Sequence, residues 1–567
     1  MTEPENPSIS LEEAADYYAR FMRKEHAEPD IPQLNSFLKE SGIGAELAEE
    51  SWSRVRELAF KNNEDLQDFA LNDSYFTDEY FDNLQEALKT HKKFIISNAV
   101  IGKAAKVDFF KAMQNWAKQN NAAVLILPSL DIKSSHKVFR LNFDPMFKED
   151  NTWIILNKDM EDNNTISTDE TPDGYYLNKH LWLSTVKTQA KVVNPISGWD
   201  ETVTSKDASI IVSSPKQYLK NVAALKCKTP KAVMSTGACT VNNYKNDLGM
   251  SQKSSARAKE AHKFGAIIVE VQDDNLFHFR QVQMKNGSFT DLYAKYTPDG
   301  NVTLAKDTVL VMGDSHAGAT DMTLLKDILN KLVAYGSISE IVLHDLCDSR
   351  PVSPHDQGKC MTRALQYQKG QFELKKLFTE IVDYLNLITD LGVKVTIVAS
   401  NHDEHLNRAL EKLPQWLADA PNSETLIKMA GFYFTNRLAP LLEFCVKNIP
   451  DVKLRNPEKI KWLQEDESYV RHGCELGQHG HAGTNGSKGS LKQYSCCVGN
   501  AVIGHSHSSG IIGDAFQVGT TSELDQGYNK GLSSWTRTCC LVHADGTKQL
   551  INFIPNGRGG YSFKIED

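Results

Sequence analysis

Five short stretches of this chain place carboxylates, an amide and imidazoles directly behind apolar runs. Residues 308–318 contain Asp314 and His316, and residues 339–345 end in Asp345 with Asp348 and Arg350 close behind. Residues 393–400 lead into Asn401, His402 and Asp403. Residues 477–483 carry His479 and His481, and residues 502–508 carry His505 and His507. In the first stretch Val309 to Met312 reads as a buried strand, and on an extended exit Asp314 and His316, at i and i+2, leave the same face. A carboxylate and an imidazole at the C-terminal lip of a parallel strand suit a borderline metal ion. Each stretch alone has an ordinary reading: Asp345 as a helix cap, Asn401 as a turn residue, the histidines in loops or on a sheet face. Together they supply two carboxylates, an amide and four or five imidazoles. That mixed oxygen and nitrogen set suits manganese, iron, zinc or related ions, and the lack of thiolates argues against a structural zinc site.

At 567 residues the chain is too long for one core, so roughly two to four domains are expected. Apolar residues at 41% and charged residues at 24% are ordinary for a globular protein. No run approaches the ~18 apolar residues of a membrane span, and the acidic, polar start (Met1 to Asn6) is unlike a signal peptide. The ten cysteines show no C-x-x-C spacing, and two groupings are adjacent pairs, Cys496-Cys497 and Cys539-Cys540. Buried reduced thiols in a cytoplasm fit that pattern. A net charge of -9 argues against a general polyanion-binding surface, but not against a small site that carries its own cations.

Three regions must position these residues. Residues 1–90 read as helical: Ser10 and Glu13 form a possible capping box, and two further helical stretches flank the turn at 41–44. The outline is that of a helix-turn-helix, but the segment is acidic and short of arginine, which favours a cap or docking domain. Residues 91–300 read as an α/β accessory domain. It has a βαβ unit (94–100, 107–119, 122–127), strands at 153–156, 209–213 and 265–271, a basic helix at 253–263 and a hairpin turning at Asn286-Gly287. No G-x-G-x-x-G follows its first strand, so a dinucleotide site is not expected. Residues 301–567 repeat βα units, with a helical insertion at about 405–470 whose core is expected to include Trp416, Phe432, Phe434 and Trp462.

The order D-x-H, D-x-x-D, N-H-D, H-G and G-H-x-H, over residues 307–520, resembles the calcineurin-like metallophosphoesterase superfamily. The N-H-D spelling and long accessory regions are similar to its nuclease branch, which includes the SbcD-type exonucleases. His344 and Ser400 stand where that family usually has glycine. The overall layout is also like the early host-genome-degrading proteins of large tailed phages. The resemblance implies a layered C-terminal α/β domain of two packed sheets flanked by helices. It implies two divalent ions, manganese first with iron, zinc or magnesium as alternatives. Asp314, His316 and His507 would hold one, Asn401, His479 and His505 the other, and Asp345 would bridge them. The implied reaction is phosphodiester hydrolysis by a metal-bound hydroxide. His402, next to a ligand yet assigned to neither metal, is the candidate general acid, with Asp403 or another carboxylate orienting it. Asp348, Arg350, His355 and His481 are candidate supporting or substrate contacts.

DNA is the expected substrate, from the motif spelling, the large accessory regions and the lysine-bearing stretches 453–461 and 486–492. A phosphatase of small phosphoesters or phosphoproteins is the alternative, and a non-catalytic DNA- or protein-binding factor with a vestigial site is a third reading. The expected setting is cytoplasmic, in the host if the chain is phage-encoded, with no membrane partner. Homo-oligomerisation through the 405–470 insertion is one use for its aromatic helices.

Overall fold

The computed structural model describes residues 9–565, apart from 26–27, 44–46, 49–50, 64–65, 67–70, 72, 131–142, 157–173, 187, 227, 245–251, 418 and 437–439. Among the described residues the protein is mixed α/β, with fifteen α-helices and three large mixed sheets.

The six-stranded sheet carries most of the chemistry. Strands Ile460–Trp462, Lys394–Ile397, Ile338–Leu343 and Thr308–Val311 run parallel in that order, and Thr538–Val542 and Lys548–Asn552 continue the sheet antiparallel. Parallel neighbours need crossovers, and helices Met322–Lys331 and Leu374–Thr389 supply two of them. The first begins where the Asp321 side chain accepts the Leu324 N–H at 3.0 Å. The second buries Leu377, Phe378, Ile381, Leu385 and Ile388, one stripe at helical spacing. Alternation along Thr308–Val311 divides its side chains between two cores. Val309 and Val311 share a core with Val502 and Phe516 of another sheet, while Leu310 joins the helices' core. The strands ending at 311, 343 and 397 therefore open side by side along one edge, where ligand sites of parallel sheets lie.

A ten-stranded sheet crosses the boundary expected near residue 300. Strand Gly510–Ile512 pairs with Tyr218–Val222 through Ile511–Leu219 and Ile512–Tyr218. Five strands within 470–517 thus continue into five within 174–235. The nine-stranded sheet holds the expected βαβ unit, Lys93–Val100, helix Val107–Asn120 and Ala123–Leu130, with its two strands parallel. Its hairpin turns at Asn286 and Gly287 with φ of 51° and 77°, as a two-residue turn with both positions left-handed requires.

Helices Leu11–Glu25, Ile31–Glu40 and Trp52–Asn62 enclose a small core of their own around Tyr18, Leu34, Leu38 and Val55. Part of the helix expected over 45–52 lies outside the described residues. This unit is tied to the middle region by the buried Arg56, which meets Asp144. Of the insertion's aromatics, Trp416 is buried and Phe432 and Trp462 pack partly against the core. Phe434 is 62% exposed, contrary to expectation, because it lies in the last turn of helix Ala420–Thr435 beyond the packed Leu426, Met429 and Ala430. Cys539 and Cys540 are buried thiols as expected, whereas Cys496 and Cys497 end a short surface helix and are exposed. No helix among the described residues is long and apolar enough to cross a membrane.

Candidate metal centre

The loops leaving the parallel strands meet the loops around His479 and 504–507. Asp314, His316, Asp345 and His507 are all buried and offer ligand atoms within 4.8 Å of one another. His316 Nε2 lies 2.9 Å from His507 Nε2 and 3.4 Å from Asp345 Oδ2, and His507 Nε2 lies 3.1 Å from Asp314 Oδ2. A second set adjoins the first across Asp345. His479 Nε2 is 3.6 Å from Asp345 Oδ2, and Asn401 Oδ1 is 3.1 Å from both His479 Nε2 and His505 Nδ1. All seven residues named as ligands from the sequence are therefore brought together.

The backbone that achieves this is unusual. His316, Asp345, His505 and His507 adopt φ of 44°, 47°, 73° and 57°, a region sparsely used by residues with a Cβ. The extended exit expected after Met312 is thus corrected: the chain turns left-handed at His316. There His316 N–H donates to the Asp345 carbonyl at 2.9 Å, and Ala317 N–H to the Leu346 carbonyl at 2.8 Å. Such strain clusters where surrounding structure over-determines a functional arrangement. Gly504 is required by close approach, since a Cβ there would lie 2.2 Å from Asp314 Oδ1.

Asp314 Oδ1 and Asp345 Oδ1 are buried without a hydrogen-bond partner. Orphaned buried polar atoms are costly, and these two are acceptors of one kind on residues whose ligand atoms lie together. The donor set, carboxylate and amide oxygens with imidazole nitrogens, fits a divalent first-row cation. Electrostatics agree. Burial pushes the Asp345 carboxyl up to about 6, with His316 opposing the shift, and pushes Asp403 up to about 8 with help from Asp345. Burial also raises Asp314, but His479, His507 and His316 outweigh it and hold that carboxyl well below the usual range. Burial keeps His479 well below the ordinary imidazole range and lowers His505 to about 4. Neutral imidazoles are the ligating form.

Around this core, Asp348 Oδ1 lies 3.3 Å from His316 Nδ1, and Arg350 Nε holds Asp348 Oδ2 at 2.5 Å. His402 Nδ1 faces Asp345 at 3.8 Å and Asp348 at 3.9 Å. Asp403 instead accepts the Ser400 N–H at 2.9 Å, closing the start of helix Asp403–Glu411, so the carboxylates beside His402 are the other two. His481 Nε2 is 3.5 Å from Glu404 Oε1, and its ring is 5.5 Å from that of His479. His355 is exposed and its ring lies 5.7 Å from that of His405, whose ring in turn stacks on His402 at 5.1 Å. His344, at the expected glycine position, is buried with both ring nitrogens unpartnered, and its ring stacks 5.7 Å from that of His479. Three residues escaped the sequence reading: Glu404, His405 and Trp535, whose ring packs 4.2 Å from that of His507. Only the run of His402 and His405, one helical turn apart, gave any signal.

The site is thus a buried Asp/His cluster able to hold metal ions on a mixed α/β scaffold. No family model matches the chain. It is similar to Protein A1 of Escherichia phage T5, 27% identical over 479 residues, covering 79% of this chain and 84% of that protein.

Proposed function

We propose that this protein is a phage-encoded dimetal phosphodiesterase of the calcineurin-like type that hydrolyses DNA in the host cytoplasm. The observation that carries the reading is the convergence of seven strand-end ligand residues, with orphaned acceptors, around one shared carboxylate, Asp345. Asp314, His316 and His507 would hold one cation and Asn401, His479 and His505 the other. Two bound divalent cations supply Lewis-acid polarisation of a phosphate and a lowered pKa for water.

The chain's own residues then have separable tasks. Asp348 faces His316 Nδ1, which fixes the proton there and leaves Nε2 bare toward the centre. Arg350 keeps Asp348 in place. His402 supplies the leaving group's proton: water gives one proton to solvent as it attacks phosphorus, the P–O bond to the leaving sugar oxygen breaks, and the imidazolium donates its proton to that oxygen. Burial disfavours the charged ring and outweighs Asp348, which favours it, so the ring sits below the ordinary imidazole range and its charged form gives up a proton readily. A covalent intermediate is not part of the mechanism: Cys347, two residues from Asp345, is buried and burial pushes its thiol pKa up. DNA as substrate is supported by the glycine- and lysine-bearing loop after His481, where Gly489 N–H donates to the His481 carbonyl at 2.9 Å. The other basic stretch supports it less. Arg455 pairs with Asp390, and Lys461 pairs with Glu467 at 3.2 Å.

The test is digestion of linear, circular and single-stranded DNA with manganese, with Asp345→Ala purified in parallel. Cutting by wild type and a loss of at least about a thousandfold in the variant are expected, the order seen when a residue central to catalysis is removed. Hydrolysis of a small phosphoester but of no DNA would replace the nuclease with a phosphatase.

A further inference from the structure

Between Ser522 and Thr536 the chain makes a long loop with no helix or strand of its own, yet it is pinned at every side. Gln526 accepts from Arg350 Nη2 at 3.2 Å, and Asn529 donates to the Leu524 carbonyl at 2.8 Å. Ser533 exchanges backbone hydrogen bonds with Ala224 at 2.8 and 2.9 Å, and Lys226 holds Asp525 at 2.7 Å. Ser534 meets Ser508 at 2.7 Å, and Thr536 N–H donates to the His507 carbonyl at 2.9 Å. A loop fixed this firmly can display side chains with precision, and beside the charged Glu523, Asp525 and Lys530 it exposes two large apolar ones, Tyr528 at 56% and Leu532 at 64%. Trp535 backs onto the His507 imidazole, and the Tyr528 ring lies 5.9 Å from Trp535 at 64°. Large apolar side chains exposed on a rigid loop beside a reaction centre mark a contact surface. Trp535 and Arg537 also border a cavity of about 670 Å³ lined by Lys226, Lys228 and Lys231 together with Asp207, Glu523 and Asp525.

Building on the nuclease reading above, we propose that the exposed Tyr528 ring, braced edge-on by Trp535, is a stacking platform that grips an unstacked nucleobase next to the scissile phosphate. Arg350 ties the loop that carries the platform, through Gln526 on one side and Asp348 on the other, to His316. Stacking on an aromatic side chain requires a base that has left its duplex neighbours, so the bound strand is single-stranded or a frayed end. Every base has a π-face, so the grip is indifferent to sequence. Tyr528 and Trp535 act as positioning residues, setting which phosphodiester enters the centre.

The experiment compares manganese-supported hydrolysis of oligothymidylate, duplex DNA and a bis-aryl phosphate by wild type, Tyr528→Ala and Tyr528→Phe. In Tyr528→Ala the ratio of kcat/KM for oligothymidylate to that for the bis-aryl phosphate should fall roughly ten- to a hundredfold, mainly through KM. Tyr528→Phe, which keeps the π-face, should restore it. The single-strand preference of wild type should shrink in the alanine variant. An unchanged ratio in Tyr528→Ala, beside an active wild type, overturns the platform and leaves the nuclease standing. A wild type that hydrolyses the bis-aryl phosphate but no DNA overturns the nuclease reading and the platform with it. Should Tyr528→Ala not fold, wild type acting on oligothymidylate with abasic residues flanking one bond reads the same contact. A KM increase of similar size is expected there, and an unchanged KM overturns the platform.

Discussion

Two of the buried polar clusters among the described residues are built on opposite plans. Around Arg56, Nε and Nη2 meet Glu28 at 2.7 and 2.5 Å, while Nη1 and Nη2 meet Asp144 at 2.9 and 2.6 Å. Asp144 also accepts the N–H groups of Ala105 and Met146 at 2.7 and 2.9 Å. Charge and hydrogen bonds close upon themselves, and the cluster's work is to join the N-terminal helices to the middle region. Around Asp345 the cluster is open: carboxylates face carboxylates, imidazole nitrogens face one another, and buried acceptors have no partner. A self-satisfied buried network is a structural joint. One that lacks positive charge is complete only with something added.

That contrast can be broken in order of effect. His402→Ala is expected to lower kcat about 10²- to 10⁴-fold, the usual range for a general acid, while metal content stays at the wild-type level. Metal lost along with activity would make His402 a ligand instead. Next, Arg56→Met removes one partner of a buried ion pair, a change that costs about 3–5 kcal/mol. Hydrogen exchange should show residues 52–62 opening early, with metal content and DNA hydrolysis per folded molecule unchanged.

The smallest effect is a difference in the sign of pH dependence. Burial raises Asp144, but Arg56 outweighs it and holds the carboxyl below its usual range. Its contribution to stability is present above a pH of about 4, the unfolded pKa, and is lost as pH falls through the folded value. Asp345 has the opposite sign, with its folded pKa raised to about 6 by burial. Without metal its ionised form destabilises the fold above that pH, and the penalty is relieved as pH falls from about 6 toward about 4. The midpoint of metal-free Asp345→Asn minus that of metal-free wild type isolates this contribution from the buried histidines, and it should be largest at pH 8 and shrink toward pH 5. Manganese should reverse its sign at pH 8. A metal-free variant no more stable than wild type at pH 8 would contradict this assignment.

The open cluster was far more legible in the sequence than the closed one. Asp314, Asp345 and Asn401 each follow a strand whose apolar run announces it, so local pattern and residue type pointed to the clustered side chains before any contact was known. Asp348 and Arg350 were legible by proximity in sequence. Arg56 and Asp144 stand 88 residues apart in unremarkable surroundings, and no local period links them. The shared ten-stranded sheet was hidden for the same reason, because Ile511 pairs with Leu219 across almost 300 residues. The left-handed turn at His316 was missed because no glycine marks it; hydrogen bonds to the Asp345 loop impose it. Tyr528 and Trp535 lie in a polar loop where aromatic spacing carries no secondary-structure signal.

The central claim is that the open cluster binds metal, and elemental analysis tests it most directly. Wild type and Asp345→Ala would each be dialysed with manganese, freed of excess and assayed for bound metal by mass spectrometry, with folding checked in parallel. The account predicts two manganese ions per wild-type chain and loss of most of them in the variant. A folded wild type that retains no metal would contradict it.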